Sequence, residues 1–166
     1  MSEFSEREFR QAMGQFCTGV VIVTGRDAQG APCGFSAQSF VSVSLAPPLI
    51  AVCPANTSKS WPAMRANGSF GINILAADQQ PLCAGFARSG GDKFKGLEWS
   101  ASAAGVPILD RVLGYIECRL EAEHPVGDHQ MVIGRVHDVQ IRATDRQPLL
   151  FFRGAYGAFG DLPAAA

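Results

Sequence analysis

The sequence predicts a mainly β fold: a β-barrel with peripheral helices. Short apolar and β-branched runs recur along the 166 residues and greatly outnumber the helical patterns. Strands and helices do not alternate regularly, as they would in a doubly wound parallel sheet. No G-x-G-x-x-G motif follows the first predicted strand, so a Rossmann nucleotide site is not expected. A chain of this length suits one domain, which we expect to span residues 1–166.

A short amphipathic helix is predicted over about residues 5–16. Ser5-x-x-Glu8 has the pattern of a capping box at its start. Apolar side chains then recur at helical spacing, at Phe9, Met13 and Phe16. The helix should therefore have one apolar face.

A β-hairpin is predicted after this helix. Residues 20–24 form a β-branched run, residues 26–30 are rich in turn formers, and a second strand begins near Cys33. The next segment, residues 39–45, alternates like a half-buried strand until Pro47-Pro48 ends it. One face of this strand is aliphatic and should pack on the core, with Val41, Val43 and Leu45. The other face carries Phe40, Ser42 and Ser44.

The remaining elements are mostly strands. A polar cluster at residues 56–60 leads into a helix at 61–66, which Asn67-Gly68 should end. A second helix is predicted at 78–88, followed by a glycine-rich loop at 89–96. The further predicted strands are residues 49–53, 70–75, 112–124, 130–141 and 148–153, of which the two long ones are joined by residues 125–128.

Composition excludes several classes of function. The net charge is −1 and the lysines and arginines are scattered, so a nucleic-acid interface is not expected. Five cysteines without a C-x-x-C pair indicate neither a zinc site nor a disulfide framework. His129 and His137 would lie about 26 Å apart on one strand, which argues against a metal site. With a polar N-terminus and no long apolar run, we expect a cytoplasmic protein.

Four segments could carry chemistry, and each also has a purely structural interpretation. Residues 34–44 could lay a flat ring against hydroxyls, or could be a solvated strand. Residues 55–61 could cradle a phosphate, although Asn, Thr and Ser equally cap a helix. Residues 86–94 could close on a phosphate or an adenine, or could be a solvated loop. Residues 127–129 could hold a histidine at a pocket mouth, or could form a surface turn. Taken one at a time, the segments favour the structural interpretation.

Taken together, the segments resemble the short-chain flavin reductase family, the FMN-binding split-barrel reductases. The opening Phe9-Arg10-x-Ala12-Met13-Gly14-x-Phe16-x-Thr18-Gly19-Val20 is similar to the family's opening. Three further motifs match: the flavin strand from Ser36 to Leu49, Gly127-Asp128-His129, and Pro148-Leu149-Leu150-Phe151-Phe152-Arg153-Gly154-x-Tyr156. The resemblance runs from about residue 9 to residue 159.

The resemblance implies a split β-barrel, a homodimer, and the reductase component of a two-component monooxygenase. Residues 36–39 and Ser42 would line the flavin ring and ribityl chain, and the hydroxyls of residues 57–60 would take the phosphate. Phe86, Ala87 and residues 93–94 would meet the phosphate or the adenylate of FAD. The full set of implied cofactor-binding residues is Ser36, Ala37, Gln38, Ser39, Val41, Ser42, Cys53, Asn56, Thr57, Ser58, Ser60, Phe86, Ala87, Lys93, Phe94, Asp128, His129, Arg153 and Tyr156.

The implied reaction is hydride transfer from the C4 atom of NADH or NADPH to the N5 atom of FMN or FAD. His129 would position the nicotinamide rather than act as an acid, because the cofactors themselves supply the chemistry. Three alternatives stay open. One is a relative with the same fold that retains its flavin and reduces a corrin or a metal chelate. The second is a non-catalytic flavin- or haem-binding split-barrel protein, and the third is a plain structural or interaction domain.

Overall fold

The chain is built around one curled antiparallel sheet of seven strands. The computed structural model describes residues 3–160. Its helices are α1 (Glu6–Met13), α2 (Ser60–Arg65) and α3 (Gln80–Ala87), with a 3₁₀ turn at Ala77–Gln79. Its strands are β1 (Thr18–Gly19), β2 (Val21–Arg26), β3 (Pro32–Ala37), β4 (Val41–Leu45), β5 (Pro48–Val52), β6 (Ser69–Ile74), β7 (Trp99–Ala101), β8 (Pro107–Leu109), β9 (Gly114–Val126), β10 (His129–Ile141), β11 (Leu149–Phe152) and β12 (Ala155–Ala158).

The large sheet has the order β3-β2-β6-β9-β10-β5-β4, and its neighbouring strands are antiparallel. The long hairpin β9–β10 contributes its middle and contains two register shifts, which bend the sheet. Its edge strands β3 and β4 are not paired to each other within residues 3–160, so the barrel is split. A small sheet, β1-β11-β12, and the hairpin β7–β8 complete the strands of the described chain. The mainly β fold is therefore confirmed.

The core has two principal parts, one on each face of β2. Val21 and Val23 pack with Trp61 of α2, whereas Ile22 packs with Phe86 of α3. Side chains alternate across a strand, so a strand buried on both faces must be continuously apolar. Residues 21–23 at the start of β2 are all apolar and meet that requirement. Helices α2 and α3 are thereby fixed over opposite faces of the sheet.

Most predicted elements are present. Ser5 and Glu8 form the reciprocal bonds of a capping box, but α1 ends at Met13 and buries no residue. The short strands β1, β7, β8 and β12 were not predicted, because two to four residues carry too little periodicity. Pro125 and Val126, predicted as part of a turn, continue β9. None of the helices described is long and apolar enough to cross a membrane.

The expectation that the aliphatic face of β4 packs on the core is wrong. Val41, Val43 and Leu45 are 53%, 52% and 90% exposed. Alternation separates two faces of a strand but does not say which one meets the core. Here β4 is an edge strand with a register shift between Ser42 and Ser44, and its aliphatic face points away from the barrel interior.

Candidate functional site

A groove of about 620 Å³ lies between the end of β3, the start of α2 and the end of α3. It contains residues from all four segments that the sequence singled out, although these are far apart along the chain. The lining residues are Phe35, Ser36, Ala37, Gln38, Ser39, Cys53, Ala55, Thr57, Ser58, Lys59, Ser60, Phe86, Ala87, Arg88, Ser89, Gly90, Lys93 and His129. A groove of this volume is typical of a small-molecule or cofactor site.

One wall of the groove is formed by the end of β3 and the residues after it. The Ser39 hydroxyl accepts a hydrogen bond from the Cys53 backbone N–H at 2.9 Å. Gln38 accepts a hydrogen bond from the Thr18 hydroxyl at 3.3 Å. These bonds tie the connection between β3 and β4 to the residue after β5 on one side and to β1 on the other. The half-buried Ser36 and Ala37 thus stand on a fixed backbone.

Two of the three predicted phosphate hydroxyls already have partners in the protein. Ser58 Oγ accepts a hydrogen bond from the Trp61 N–H at 3.3 Å. Ser60 Oγ donates to the Gly34 carbonyl at 2.8 Å and so ties α2 to β3. These bonds do not exclude ligand binding, because each hydroxyl oxygen can still take part in a further hydrogen bond. Thr57, the third, is exposed at the groove.

The charge of the groove is positive. Lys59, Arg88 and Lys93 line it, and no Asp or Glu occurs among its described lining residues. Cations without neighbouring carboxylates favour an anionic ligand such as a phosphate.

Lys93 differs from the other two cations because its ammonium group is bound within the protein. It donates to the carbonyl oxygens of Gly34 and Phe86, each at 3.0 Å. Partial burial lowers the pKa of Lys93. The residue joins the end of α3 to β3, whereas Lys59 and Arg88 are exposed at the groove.

His129 lies at the opposite side of the groove, on the first residue of β10. Its Nδ1 atom is 2.7 Å from Asp128 Oδ1. The hydrogen bond with His129 lowers the pKa of Asp128, and the histidine's charge contributes in the same direction. A carboxylate that stays ionised and bonds one ring nitrogen fixes the orientation of the imidazole.

The other predicted residues lie outside the groove. Asn56 and Asp128 border it and support His129, and Phe94 is buried against Phe86 with ring centroids 5.2 Å apart. Val41 and Ser42 are exposed on β4.

Tyr156 and Arg153 lie near the closing strands. The Tyr156 hydroxyl is 3.3 Å from Cys83 Sγ, and this hydrogen bond together with burial raises the pKa of Tyr156 to about 12. Arg153 lines a separate recess beside α1.

Six lining residues were not among the predicted set. Lys59, Arg88, Ser89 and Gly90 stand inside the segments that the sequence singled out, and their charge or turn chemistry could have identified them. Phe35 and Ala55 lie in these segments too, but an apolar side chain without charge or hydrogen-bonding groups gives no signal for a ligand site.

The residues present fit a flavin. Hydroxyls and backbone along the end of β3 suit the polar edge of a flat ring, and exposed cations at one end suit a phosphate. His129, on the first residue of β10, lines the same groove. A groove of about 620 Å³ lined by hydroxyls, cations and a histidine suits a flat cofactor that carries a phosphate.

Comparison with known proteins shows that the chain is similar to flavin reductases. Residues 13–160 match the family model described as "Flavin reductase like domain". The chain is 48% identical over 150 residues to the reductase subunit HsaB of a flavin-dependent monooxygenase from Rhodococcus jostii, covering 90% of this chain and 76% of the relative. It is 41% identical to the FMN reductase (NADH) SmoA from Agrobacterium fabrum, covering 93% and 87%.

A solved structure shows the same fold. The crystal structure of a homologue of nitrilotriacetate monooxygenase component B from Mycobacterium thermoresistibile superposes with a TM-score of 0.89 at 43% identity. The superposition covers 97% of this chain and 92% of that one.

Proposed function

Because this chain belongs to the flavin reductase-like domain family, we propose that it is an NAD(P)H:flavin oxidoreductase that supplies reduced flavin to a partner monooxygenase. The observation that carries the proposal is the groove itself. It joins a hydroxyl-bearing strand end, exposed cations without a carboxylate, and an oriented histidine in one open site.

The ring of FMN or FAD would lie along residues 36–39, with its phosphate near Thr57, Lys59 and Arg88. A flavin held there would supply the N5 atom as the acceptor of hydride from the nicotinamide C4 atom. The protein's part is to hold the two rings in contact and to exclude water between them. His129, oriented by Asp128, would meet the nicotinamide. No general base is required for the hydride step.

An open groove suits a flavin that leaves after reduction. Thr57, Lys59 and Arg88 are exposed rather than enclosed, so binding should be moderate and release rapid. The relatives named as a monooxygenase reductase subunit and as a monooxygenase component support a partner oxygenase for this chain too.

We further propose that the working form is a homodimer. Three aliphatic side chains stand exposed on β4, whose outer edge is unpaired within the described sheet. An exposed apolar edge strand is a liability for a monomer. The same strand follows directly on the groove residues 36–39, so a second copy packed there would complete the rim of the site.

The proposal is tested by mixing the purified protein anaerobically with NADH and an excess of free FMN or FAD, and following flavin absorbance near 450 nm. Catalytic bleaching of the excess flavin is the expected result. Bleaching limited to one equivalent would instead indicate a retained flavin that reduces another acceptor. Absence of bleaching with both NADH and NADPH would refute the reductase function and leave a binding role.

A further inference from the structure

The phosphate end of the groove carries two cations that come from different elements. Lys59 immediately precedes α2, and Arg88 immediately follows α3. The Gly34 carbonyl accepts hydrogen bonds from Ser60 at 2.8 Å and from Lys93 at 3.0 Å, so α2 and the segment after α3 are tied to one point of β3. Within residues 3–160, neither Lys59 nor Arg88 forms an ion pair, and both are exposed at the groove.

The hydroxyl groups beside Lys59 add hydrogen-bond donors to these cations. Ser58 Oγ accepts from a backbone N–H of α2, so its own proton stays available to a ligand. The exposed Thr57 lines the groove as well. Ser60, in contrast, donates its proton to the Gly34 carbonyl. The two cations and the hydroxyls of Thr57 and Ser58 can therefore all donate to an anion.

The segment that follows Arg88 offers little to the adenylate half of FAD. Ser89 and Gly90 line the groove there, and Gly90 and Gly91 have φ values of +78° and +74°. Nothing lies within 4 Å of a Cβ atom placed on either glycine, so the space around them is open. The next charged side chain along the chain is a carboxylate, that of Asp92. A second phosphate would therefore gain no cation from this segment.

Nor does this part of the groove offer a free aromatic face to an adenine. Phe86 and Phe94 are 1% and 5% exposed, and their rings pack edge to face with centroids 5.2 Å apart. Phe35 lines the groove but is half-buried, and it packs against the core cluster that contains Trp61. Stacking on an exposed aromatic ring is a common way in which proteins bind a base. The AMP half of FAD would therefore bury little surface here.

We propose that Arg88, together with Lys59, makes this site select FMN over FAD. The inference rests on the proposed function. The phosphate of FMN is a monoester with three terminal oxygens and a second ionisation near neutral pH. Arg88 can bind two of these oxygens through its planar guanidinium and leave the third to Lys59 and the hydroxyls. In FAD the same phosphate is joined to AMP, so it has one terminal oxygen fewer and lacks the second ionisation.

The test is a calorimetric titration of the full chain with FMN, with FAD and with riboflavin, which lacks the phosphate. Wild type should bind FMN about 10-fold more tightly than FAD. Arg88→Gln should raise the Kd for FMN about 10-fold and the Kd for FAD less than about threefold, because FAD presents less charge to the guanidinium. The Kd for riboflavin should stay within about twofold.

Two further variants serve as controls. Arg88→Lys keeps the charge but not the fork of donors, so it should retain part of the preference for FMN. Arg119→Gln removes an exposed arginine of β9 that does not line the groove, and it should change none of the three Kd values. Because Arg88 and Arg119 are both exposed, thermal unfolding should show that all variants fold as wild type does.

Two results would overturn the inference: wild type that binds FAD as tightly as FMN, or Arg88→Gln that keeps the wild-type ratio of the two Kd values. Failure of the proposed function shows differently. Wild type that prefers FMN but reduces no flavin with NADH or NADPH refutes the reductase function and leaves the selectivity standing. Wild type that binds none of the three flavins refutes both.

Discussion

His129 owes its position to backbone bonds made by its neighbours. The Asn56 N–H donates to the Asp128 carbonyl at 2.9 Å, and the Gln130 N–H donates to the Pro54 carbonyl at 2.9 Å. The Asn56 side chain adds bonds to Gly127 and Gln130. These contacts fix the β9–β10 turn against the loop after β5. Asn56 therefore supports the turn that carries His129.

Replacing His129 with Ala should raise the KM for NADH about 10-fold or more, because misplaced rings lose the contact needed for hydride transfer. The Kd for FMN should change little, since the cations of the groove are untouched. Steady-state kinetics and a flavin titration measure the two quantities. His124→Ala, at an exposed histidine of β9, serves as the control. Unchanged kinetics in His129→Ala would remove the histidine from the mechanism.

Buried thiols make stability depend on pH in the alkaline range. Burial raises the pKa of Cys118 to about 12 from an ordinary value of 9.0, and the negative charge of Glu117 contributes. The unfolded state therefore loses this proton first as pH rises, and the free energy of unfolding falls above about pH 9. Burial of Cys33, whose pKa is raised to about 11, acts in the same direction. Lys93, whose pKa is lowered, acts in the opposite one.

Urea unfolding at pH 8 and pH 10 isolates the contribution of Cys118. The loss of stability between these two pH values should be smaller in Cys118→Ala than in wild type by about 1 kcal/mol. Cys17→Ala, at an exposed cysteine, should lose as much as wild type. If the free energy of unfolding fell equally in wild type and Cys118→Ala, Cys118 would not be the cause of the pH dependence.

At the scale of secondary-structure elements, the shape of the groove depends on the close packing of β3 against α2 and α3. The Gly34 carbonyl accepts hydrogen bonds from both Ser60 of α2 and Lys93 after α3. A Cβ atom at residue 34 would lie 2.8 Å from a ring carbon of Phe86 and 2.7 Å from the Val23 carbonyl oxygen. The backbone of Gly34 has no positive φ, so its conformation would suit other residues. Glycine is needed here because a side chain would not fit between β3, Val23 and Phe86.

We expect Gly34→Ala to reduce the free energy of unfolding by about 1–3 kcal/mol, because the added methyl group overpacks the contact. The same change should weaken flavin binding, since two walls of the groove move apart. Gly85→Ala in α3 is the control: nothing lies within 4 Å of its added Cβ, and the helix should gain up to about 1 kcal/mol. Urea denaturation compares the two variants. Equal stabilities would show that the packing at residue 34 is loose.

At the scale of the whole molecule, we propose that two of the exposed apolar surfaces of residues 3–160 pack against a second copy of the chain. One is the aliphatic face of β4. The other is the outer stripe of α1, where Phe9 and Met13 are 51% and 55% exposed. Burial of such surfaces in a dimer is favourable in proportion to the apolar area removed from water.

Leu45→Glu should convert the proposed dimer to a monomer, because a carboxylate at this 90% exposed position would be buried without a partner at the interface. Size-exclusion chromatography with light scattering measures the mass in solution. Ala104→Glu, in the exposed loop between β7 and β8, adds the same charge elsewhere and should leave the mass unchanged. A wild-type protein that runs as a monomer would rule out the proposed dimer.

The sequence by itself determined the fold class, most of the element order and the four segments that meet in the groove. It could do so because hydrophobic period, turn chemistry and local motifs are properties of neighbouring residues. Only the tertiary structure decided which face of β4 meets the core, that Phe94 packs beneath the groove, and that Lys93 bonds two carbonyls. It also brought Lys59 and Arg88 to the same groove. These facts depend on contacts between residues far apart in the chain, which no local pattern records.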